Sequence, residues 1–475
     1  MTFEPTYESV CMHPLPDWYD DAKFGIFIHW SLFSVPGYAP VDGRDVIRLQ
    51  KQTDMHYMMQ HNPYAEWYLN TLRIAGSPTR EFHEKNYGSG FSYFEFQKEF
   101  EQYSRKVNFD SWAQLMKDSG ARYAVLVTKH HDGYCLWPSM NKNPMEEGFQ
   151  SPVDLVGDWV EAVRAKGIRA GLYYSGMYDW TFNDIPIENP YSKMKHQLAS
   201  PMYANYATAQ WRELIERYRP SVLWNDMGYP AGIDLNRLMA DYYNSVPDGV
   251  VNERWDQAEI PWNSSAEAVR SYAQRMCTGS GNEIRHVNFH FDFSNPEYTD
   301  TNEIQTKKFE FTRGIGLSFG YNREETAREM LTPSQLVYIL TDTVSKNGNV
   351  LLNIGPMVDG SISEIQKKPL MALGRWLKTN GEAIYGTRPW IRAEAKTDDG
   401  TAVRFTRKGE QLFIIVLSEK PMKNIRIRNL TLRQGARMKL LGFEGGVFYR
   451  NQESDLHIQL EKYPKKQLAY AFQLS

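Results

Sequence analysis

Amphipathic segments followed closely by short apolar runs recur along the first 360 residues. In "NYATAQWRELIERYRPSVLWND" the apolar positions recur at i, i+3, i+4 and i+7, the spacing of one helical face. They are Trp211, Leu214, Ile215 and Tyr218. Pro220 then ends the helix, and a β-prone run follows it. This pattern predicts a helix that leads directly into a buried strand.

The same unit is found in "FDSWAQLMKDSGARYAVLVTKHHDG", "SPVDLVGDWVEAVRAKGIRAGLYYSG" and "TPSQLVYILTDTVSKNGNVLLNIGP". In the first of these, Asp110 is the predicted N-cap and Gly120 the predicted stop of the helix. In the last, Thr332 and Gln335 form a capping box around a first-turn proline.

Three further strand-like runs, "FGIFIHW", "GVVNERW" and "GIGLSFGYN", bring the total to about seven predicted strands within residues 20–360. The strands are apolar along their length, which is typical of a parallel sheet covered on both faces. An open doubly wound sheet and a closed (β/α)8 barrel both fit. The glycine fingerprint of a dinucleotide-binding sheet is absent from "FIHWSLFSVPGY", so the pattern favours the barrel.

From about residue 388 the pattern changes to short alternating β-runs without helices, among them "AVRFTRKGEQLFIIVLSE", "NIRIRNL", "LHIQL" and "LAYAFQLS". We therefore predict an α/β protein with a (β/α)8-like catalytic barrel over residues 1–385 and a C-terminal antiparallel β-sandwich over residues 386–475. The absence of a low-complexity linker predicts that the two domains pack directly.

Composition narrows the functional classes. The net charge of −3 and the lack of a basic tract argue against nucleic acid as a partner. Three cysteines are too few and too scattered for a disulfide framework or a zinc-ligand spacing. No signal-peptide pattern or membrane-length apolar run is found, which predicts a cytoplasmic protein that does not contact a membrane. The 13 Trp and 29 Tyr suit stacking on sugar rings, although they also suit a well-packed core.

In a barrel, the residues just beyond the C-terminal ends of the strands line one edge, the mouth, where active sites are built. The predicted strand ends carry imidazoles, carboxylates, an arginine and aromatic rings. They are His29 and Trp30; His130, His131 and Asp132; Tyr173 and Tyr174; Trp224 and Asp226; and Glu253, Arg254 and Trp255. Any one of them has an ordinary structural alternative, such as core packing or a surface ion pair, but unrelated structural roles would scatter rather than converge.

Two reaction classes use this set. Metal-assisted hydrolysis would need His and Asp ligands around one ion. The first strand offers His29 alone, and adjacent residues such as His130 and His131 face opposite ways if they lie in a strand. The motif "HVNFHFD", residues 286–292, keeps a metal site open.

Glycoside hydrolysis needs two carboxylates surrounded by hydroxyl-binding groups and stacking aromatics, and it accounts for more of the set. Asp226 is the favoured first carboxylate because its strand carries it to the mouth. The second stays open among Glu253, Asp292, Glu297, Glu303 and Glu310.

Several long motifs, in order, carry a family resemblance. They are "PDWYDDAKFGIFIHWSLFSVPGY", "AEWY", "YAVLVTKHHDGYCLWPS", "VLWNDMGYP", "FEFTRGIGLSFGYN" and "SKNGNVLLNIGP". Together they resemble the α-L-fucosidases of glycoside hydrolase family 29 over residues 16–390. The resemblance implies a retaining exo-fucosidase that acts on fucosylated oligosaccharides or glycoconjugates, through a covalent fucosyl-enzyme intermediate and without a metal or other cofactor.

By the same resemblance, Asp226 is the nucleophile and Glu297, in "HFDFSNPEY", is the acid/base. Residues 257–288 resemble an insertion, with a Ser-x-x-Glu capping box at Ser264, so Glu303 and Glu310 remain competitors for the second role. The fucose-binding residues implied are His29, Glu66, Trp67, His130, His131, Tyr173, Trp224, Arg254 and Phe319. A metal-dependent barrel hydrolase and an inactive fucose-binding relative are the alternatives. Linkage preference, transfucosylation and assembly into a homo-oligomer stay open.

Overall fold

The structure is a computed structural model that describes residues 2–278, 289–298, 301, 303–433 and 435–475. Seven parallel strands form its central sheet. They are β1 Phe24–Ile28, β2 Tyr123–Lys129, β3 Arg169–Ser175, β4 Val222–Asp226, β5 Val250–Val251, β6 Phe309–Gly314 and β7 Gly348–Ile354. Their order in the sheet is β5-β4-β3-β2-β1-β7-β6, so β1 and β7, the first and last of these seven strands along the chain, lie side by side. The parallel sheet predicted from the apolar strands is confirmed.

Residues 292–298, here called the closing segment, join the two edges of this sheet. Asn252 bridges to Phe293 on one side, and Ser294 and Glu297 bridge to Phe309 and Thr312 on the other, all in parallel. The Glu310 amide donates to the Ser294 carbonyl at 2.7 Å. The segment therefore takes the eighth position of a (β/α)8-like barrel without forming a regular strand.

The interior of the barrel is filled by side chains from alternate strand positions, as a closed sheet requires. Phe27, Val125, Tyr173 and Trp224 belong to this inner cluster, and Phe293 of the closing segment packs with them. Because successive residues face opposite sides, Ile26, Leu126, Leu172 and Leu223 pack outward with the surrounding helices.

Fifteen α-helices lie among the described residues, most of them around the barrel. They are α1 Tyr7–Val10, α2 Asp17–Ala22, α3 Val46–Gln52, α4 Met55–Gln60, α5 Tyr68–Arg73, α6 Pro78–Tyr87, α7 Phe96–Ser104, α8 Phe109–Ser119, α9 Leu155–Ala165, α10 Pro190–His196, α11 Pro201–Tyr218, α12 Leu235–Ser245, α13 Ala266–Thr278, α14 Pro333–Ser345 and α15 Glu364–Asn380. None of these helices has the length and apolar character needed to cross a membrane.

The helix ends test the predicted caps. The capping box of α14 at Thr332 and Gln335 is confirmed, and Gly120 ends α8 in a left-handed conformation. The predicted cap at Asp110 is wrong. Asn108 is the N-cap, because its side chain accepts from the Ser111 amide, and α8 begins at the next residue, Phe109. For α13, the Ala268 amide donates to Ser265 rather than to the predicted Ser264.

One predicted strand is also wrong. The run "GIGLSFGYN" was expected to form a strand, but β6 ends at Gly314 and the following residues form a loop at the mouth. In that loop the Gly320 amide donates to the Glu66 carboxylate at 2.7 Å. The loop's backbone thus bonds a side chain of the mouth instead of a neighbouring strand.

The last eight strands form two antiparallel sheets. They are β8 Arg388–Lys396, β9 Ala402–Lys408, β10 Gln411–Val416, β11 Asn424–Ile427, β12 Met438–Leu440, β13 Val447–Gln452, β14 Asp455–Leu460 and β15 Tyr470–Leu474. The five-stranded sheet has the order β12-β15-β10-β9-β8, and the three-stranded sheet has the order β11-β14-β13. Phe405 and Ile414 of the first sheet share a buried cluster with Ile427 and Ile458 of the second, which confirms a sandwich. The division into domains at residue 385 stays a prediction.

The larger sheet packs on the last helices of the barrel. The Trp376 indole of α15 donates to the Ala469 carbonyl at 3.0 Å. Asp342 of α14 accepts from the Arg404 guanidinium of β9 at 2.6 Å and from Lys346 at 2.8 Å, and all three residues are buried. A buried ion cluster therefore ties the sandwich to the barrel.

Replacing Arg404 with Met should reduce the free energy of unfolding by about 3 kcal/mol, because it leaves a buried carboxylate with one partner fewer. Chemical unfolding of the variant, followed by far-UV circular dichroism, measures the loss. Arg407→Met on the same strand is the matched control, since Arg407 is exposed. Equal stabilities for the two variants would show that the buried cluster does not stabilise the junction.

Candidate active site

Asp226 is the last residue of β4 and lies at the mouth of the barrel. Its Oδ1 accepts from Arg254 Nη1 at 2.8 Å and from the Met227 amide at 2.9 Å, and its Oδ2 accepts from the Tyr173 hydroxyl at 2.8 Å. Burial raises the pKa of Asp226, but the charge of Arg254 and the hydrogen bonds from Arg254 and Tyr173 outweigh it and lower the pKa overall. Asp226 is therefore an ionised carboxylate held by three donors.

The backbone after Asp226 is shaped to provide one of those donors. Met227 has a φ of 63°, in the left-handed region that costs a non-glycine residue roughly 1–2 kcal/mol. This conformation accompanies the bond from the Met227 amide back to the preceding carboxylate. Strain of this kind persists where neighbouring structure holds it, commonly at functional sites.

Arg254 joins Asp226 to a second carboxylate. Its Nη2 donates to Glu297 Oε2 at 3.1 Å, while its guanidinium lies over the Trp224 ring, 4.8 Å from the centroid. Burial lowers the pKa of Arg254, but the two carboxylates raise it by more than burial lowers it. The charge of Arg254 is therefore permanent. One guanidinium thus holds Asp226 and Glu297 side by side.

The closing segment positions Glu297. Glu297 pairs with Thr312 of β6, and its Oε1 accepts from the Tyr64 hydroxyl at 2.9 Å. The Glu297 side chain is 27% exposed, whereas that of Asp226 is 10% exposed. Glu297 is therefore the outer carboxylate of the pair, and Asp226 the inner one.

The two competitors for the second carboxylate lie elsewhere. Glu303 is exposed, and its carbonyl accepts from the Gln305 side chain. Glu310 is fully buried inside the barrel, where its oxygens accept from Tyr19, Tyr123 and the Trp224 indole. Glu310 therefore lies beneath the floor of the site and supports Trp224.

Three histidines line one side of Asp226. His131 Nε2 lies 3.9 Å from Asp226 Oδ2, and its Nδ1 contacts the Ser175 hydroxyl at 2.7 Å. Burial lowers the pKa of His131 to about 3 and that of His29 to about 4, and it lowers the pKa of His130 well below its usual range. All three imidazoles are neutral near pH 7, so each can donate one hydrogen bond and accept another.

His130 and His131 do not lie in a strand, so the condition under which they would face opposite ways is not met. Strand β2 ends at Lys129, so the two residues lie beyond the alternation of the strand, and their rings are 4.0 Å apart. His130 Nδ1 is buried, and no partner for it exists among the described residues.

Aromatic rings form the walls and floor. Tyr173 stacks on Trp224 with centroids 5.5 Å apart, and Phe319 lies 5.0 Å from His29. Trp67 is partly exposed and meets His131 edge to face at 5.2 Å. Glu66 accepts from the Gly320 amide, next to Phe319, so the structure brings all eleven predicted site residues into one connected cluster at the mouth.

Two residues of this pocket were missed from the sequence. Tyr64 bonds Glu297, and Asn295, with its amide oxygen turned toward Arg254, accepts from Nε at 2.6 Å. Tyr64 directly precedes the motif "AEWY", residues 65–68, and this proximity was the available signal. Nothing in the sequence near Asn295 indicates its role.

A second polar cluster is the structural counterpart of the predicted metal motif. His13, His290 and Asp292 present atoms within 4.8 Å of one another beside the start of β5, and His286 of the motif lies outside the described residues. Asp292 already accepts from the Tyr243 hydroxyl and the Val251 amide. The cluster therefore ties the closing segment to its neighbours.

Comparison with known proteins is consistent with this geometry. The family model "Alpha-L-fucosidase" matches residues 1–382. Thermotoga maritima α-fucosidase, solved in complex with fucose, is 40% identical, with full coverage of both chains and a TM-score of 0.83. It has also been solved with a mechanism-based inhibitor, and as an aspartate-to-glycine fucosynthase with a fucosyl disaccharide at a TM-score of 0.84. Human tissue α-L-fucosidase is 30% identical over 97% of this chain and 88% of its own. The chain belongs to the α-L-fucosidase family.

Proposed function

We propose that this protein removes terminal α-L-fucose from fucosylated oligosaccharides or glycoconjugates with retention of configuration, and that Asp226 is its nucleophile and Glu297 its acid/base. The observation that carries the proposal is the pair of carboxylates on one guanidinium, Asp226 at 2.8 Å and Glu297 at 3.1 Å. A single guanidinium reaches both only when they are close. A retaining mechanism needs such a close pair, about 5 Å apart, whereas an inverting one leaves room for a water.

In the first step, an Asp226 oxygen attacks the anomeric carbon while the bond to the leaving oxygen breaks and Glu297 gives that oxygen a proton. In the second step, Glu297 takes a proton from water, the water oxygen bonds the anomeric carbon, and the Asp226 ester bond breaks. The low pKa of Asp226 keeps it ionised for the attack. The greater exposure of Glu297 supports a position facing the leaving group and the incoming water.

Tyr64 supports the change of protonation at Glu297. A hydroxyl can donate to an ionised carboxylate and accept from a protonated one. The contact of 2.9 Å between Tyr64 and Glu297 Oε1 can therefore persist in both states. Arg254 on the other oxygen can only donate, so the proton belongs on the Tyr64 side when Glu297 is neutral.

The remaining pocket residues suit a 6-deoxy sugar. His29, His130, His131 and Arg254 offer hydrogen bonds to hydroxyls, while the rings of Trp67, Tyr173, Trp224 and Phe319 offer apolar surface to the ring and to the methyl group on C5. Thermotoga maritima α-fucosidase binds fucose, and the similarity of this chain to it supports the same sugar here.

Glu66 adds a neutral acid to the pocket. Burial raises its pKa to about 8, more than the donating Gly320 amide lowers it. Below that pH the folded protein holds Glu66 protonated, so it can donate to a sugar hydroxyl.

Asp226→Gly should lower turnover of an aryl α-L-fucoside by roughly 10⁴-fold, because the covalent route is lost when a catalytic group is removed. Initial rates and the thermal midpoint are measured together, since the fold should survive. Wild-type activity that persists after chelator treatment separates this mechanism from metal-assisted hydrolysis. A variant that retains more than a tenth of the rate would rule Asp226 out as nucleophile.

Glu297→Ala should still form the intermediate from an aryl fucoside with a good leaving group, but should hydrolyse it slowly. Added azide should restore the rate, because it attacks the anomeric carbon without a general base. Burst kinetics and the configuration of the fucosyl azide provide the measurement. Glu303→Ala is the control and should behave as wild type. Rescue of the control instead of Glu297→Ala would move the role to Glu303.

As pH rises from about 4.5 to 8, the free energy of unfolding of Glu66→Gln should increase relative to that of the wild type. In this range the unfolded chain ionises Glu66 while the folded wild type does not, so the wild type loses stability as pH rises. The variant lacks this loss, which should amount to a few kcal/mol by pH 8. Thermal midpoints across the range measure the difference, with exposed Glu303→Gln as control. A constant difference across the range would contradict a raised pKa of Glu66.

A further inference from the structure

The described part of the insertion predicted at residues 257–288 lies on the face of the barrel that carries the mouth. Its helix α13 packs on α10, where Met194, Val269, Tyr272 and Ala273 form a buried cluster. Helix α10 belongs to the loop after β3, and α13 follows β5, so both lie on the face where the strands end. None of the chemistry derived above uses this pair of helices.

A groove of ≈ 380 Å³ lies between the described part of the insertion and the loop after β3. Its size falls within the range of small-molecule sites, roughly 300 to 1,000 Å³. Trp262 lies at the edge of the groove, and its side chain is 50% exposed, a high value for the largest apolar side chain. The lining includes Met177, Asn183, Lys195, Trp262, Asn263 and Ser264.

The groove is next to the pocket that holds the two carboxylates. Met177 and Ala199 line it, and both pack in one apolar cluster with Trp67 and Met227. Met227 follows Asp226 directly, and Trp67 lies against His131. A chain of sugars with its terminal residue at Asp226 therefore has the groove within reach of its next residues.

The lining has the chemistry of a sugar site. An exposed indole offers a flat apolar face for a pyranose ring, and amide, hydroxyl and ammonium groups around it bond hydroxyls. A single lysine gives too little positive charge for a phosphate-rich ligand, and the polar groups interrupt the apolar surface that a lipid chain would need.

We propose that this groove binds the glycan that carries the fucose, and that Trp262 stacks on a sugar ring of this leaving group. The inference rests on the proposed fucosidase activity. Binding energy at a distance from the reacting bond raises kcat/KM for substrates that reach it and leaves short substrates unaffected. Because the linkage sets the direction in which the glycan leaves the fucose, the groove would select among linkages.

Trp262→Ala tests this with a panel of α1,2-, α1,3-, α1,4- and α1,6-fucosylated di- and trisaccharides beside 4-nitrophenyl α-L-fucoside. For at least one linkage, kcat/KM should fall about tenfold, while the value for the aryl fucoside stays within about twofold. Trp262→Phe should retain most of the activity on that glycan, since it keeps an aromatic face. An equal change in kcat/KM for all substrates would overturn the proposal. So would a wild-type enzyme that hydrolyses the aryl fucoside but none of the fucosylated oligosaccharides.

Phe448→Ala is the matched control, because Phe448 is a 62% exposed aromatic side chain on β13, in the three-stranded sheet of the sandwich. It should change neither class of substrate. The thermal midpoint of Trp262→Ala should equal that of wild type, since the side chain is half exposed. Lack of wild-type activity on the aryl fucoside would instead overturn the proposed function, so the two failures are distinguishable.

Discussion

The site depends on one guanidinium. Arg254 bonds Asp226 through Nη1 and Glu297 through Nη2, and its face lies on Trp224. Two carboxylates placed close together repel each other, and a permanent positive charge between them offsets this repulsion. Trp224 is fixed in turn because its indole donates to buried Glu310 at 2.9 Å. The position of the two carboxylates is thus set from inside the barrel, through their ion pairs with Arg254 and the Trp224 ring beneath it.

The same pair explains why the barrel closes irregularly. Asp226 reaches the mouth at the end of a regular strand, whereas Glu297 is carried by the closing segment. That segment has Pro296 next to Glu297, and proline cannot donate to a ladder. Its backbone still pairs at Ser294 and Glu297, and Phe293 still fills the interior. The closing segment therefore both completes the barrel and positions the second carboxylate, Glu297.

Periodicity in the sequence predicted the site residues that regular strands position, whereas those on irregular segments were found through the family resemblance or were missed. Asp226 and the histidines follow apolar strands, so their convergence could be expected from periodicity. Glu297 could be placed through resemblance alone, because an irregular segment after an insertion has no period to count. The strand expected at "GIGLSFGYN" failed for a related reason: its apolar residues pack at the mouth, and its Gly320 amide bonds Glu66. Tyr64 was missed because its contact spans 233 residues.

The protonation states of the pocket are suited to the charge that the reaction develops. The transition state resembles an oxocarbenium ion, which a nearby cation would destabilise. Burial keeps His29 and His131 neutral, with pKa values of about 4 and 3, and it keeps Glu66 neutral below about pH 8. The one permanent cation among the predicted pocket residues, Arg254, is offset by the two carboxylates it bonds. In the proposed mechanism, neutral imidazoles can therefore bind sugar hydroxyls without opposing the positive charge that develops beside Asp226.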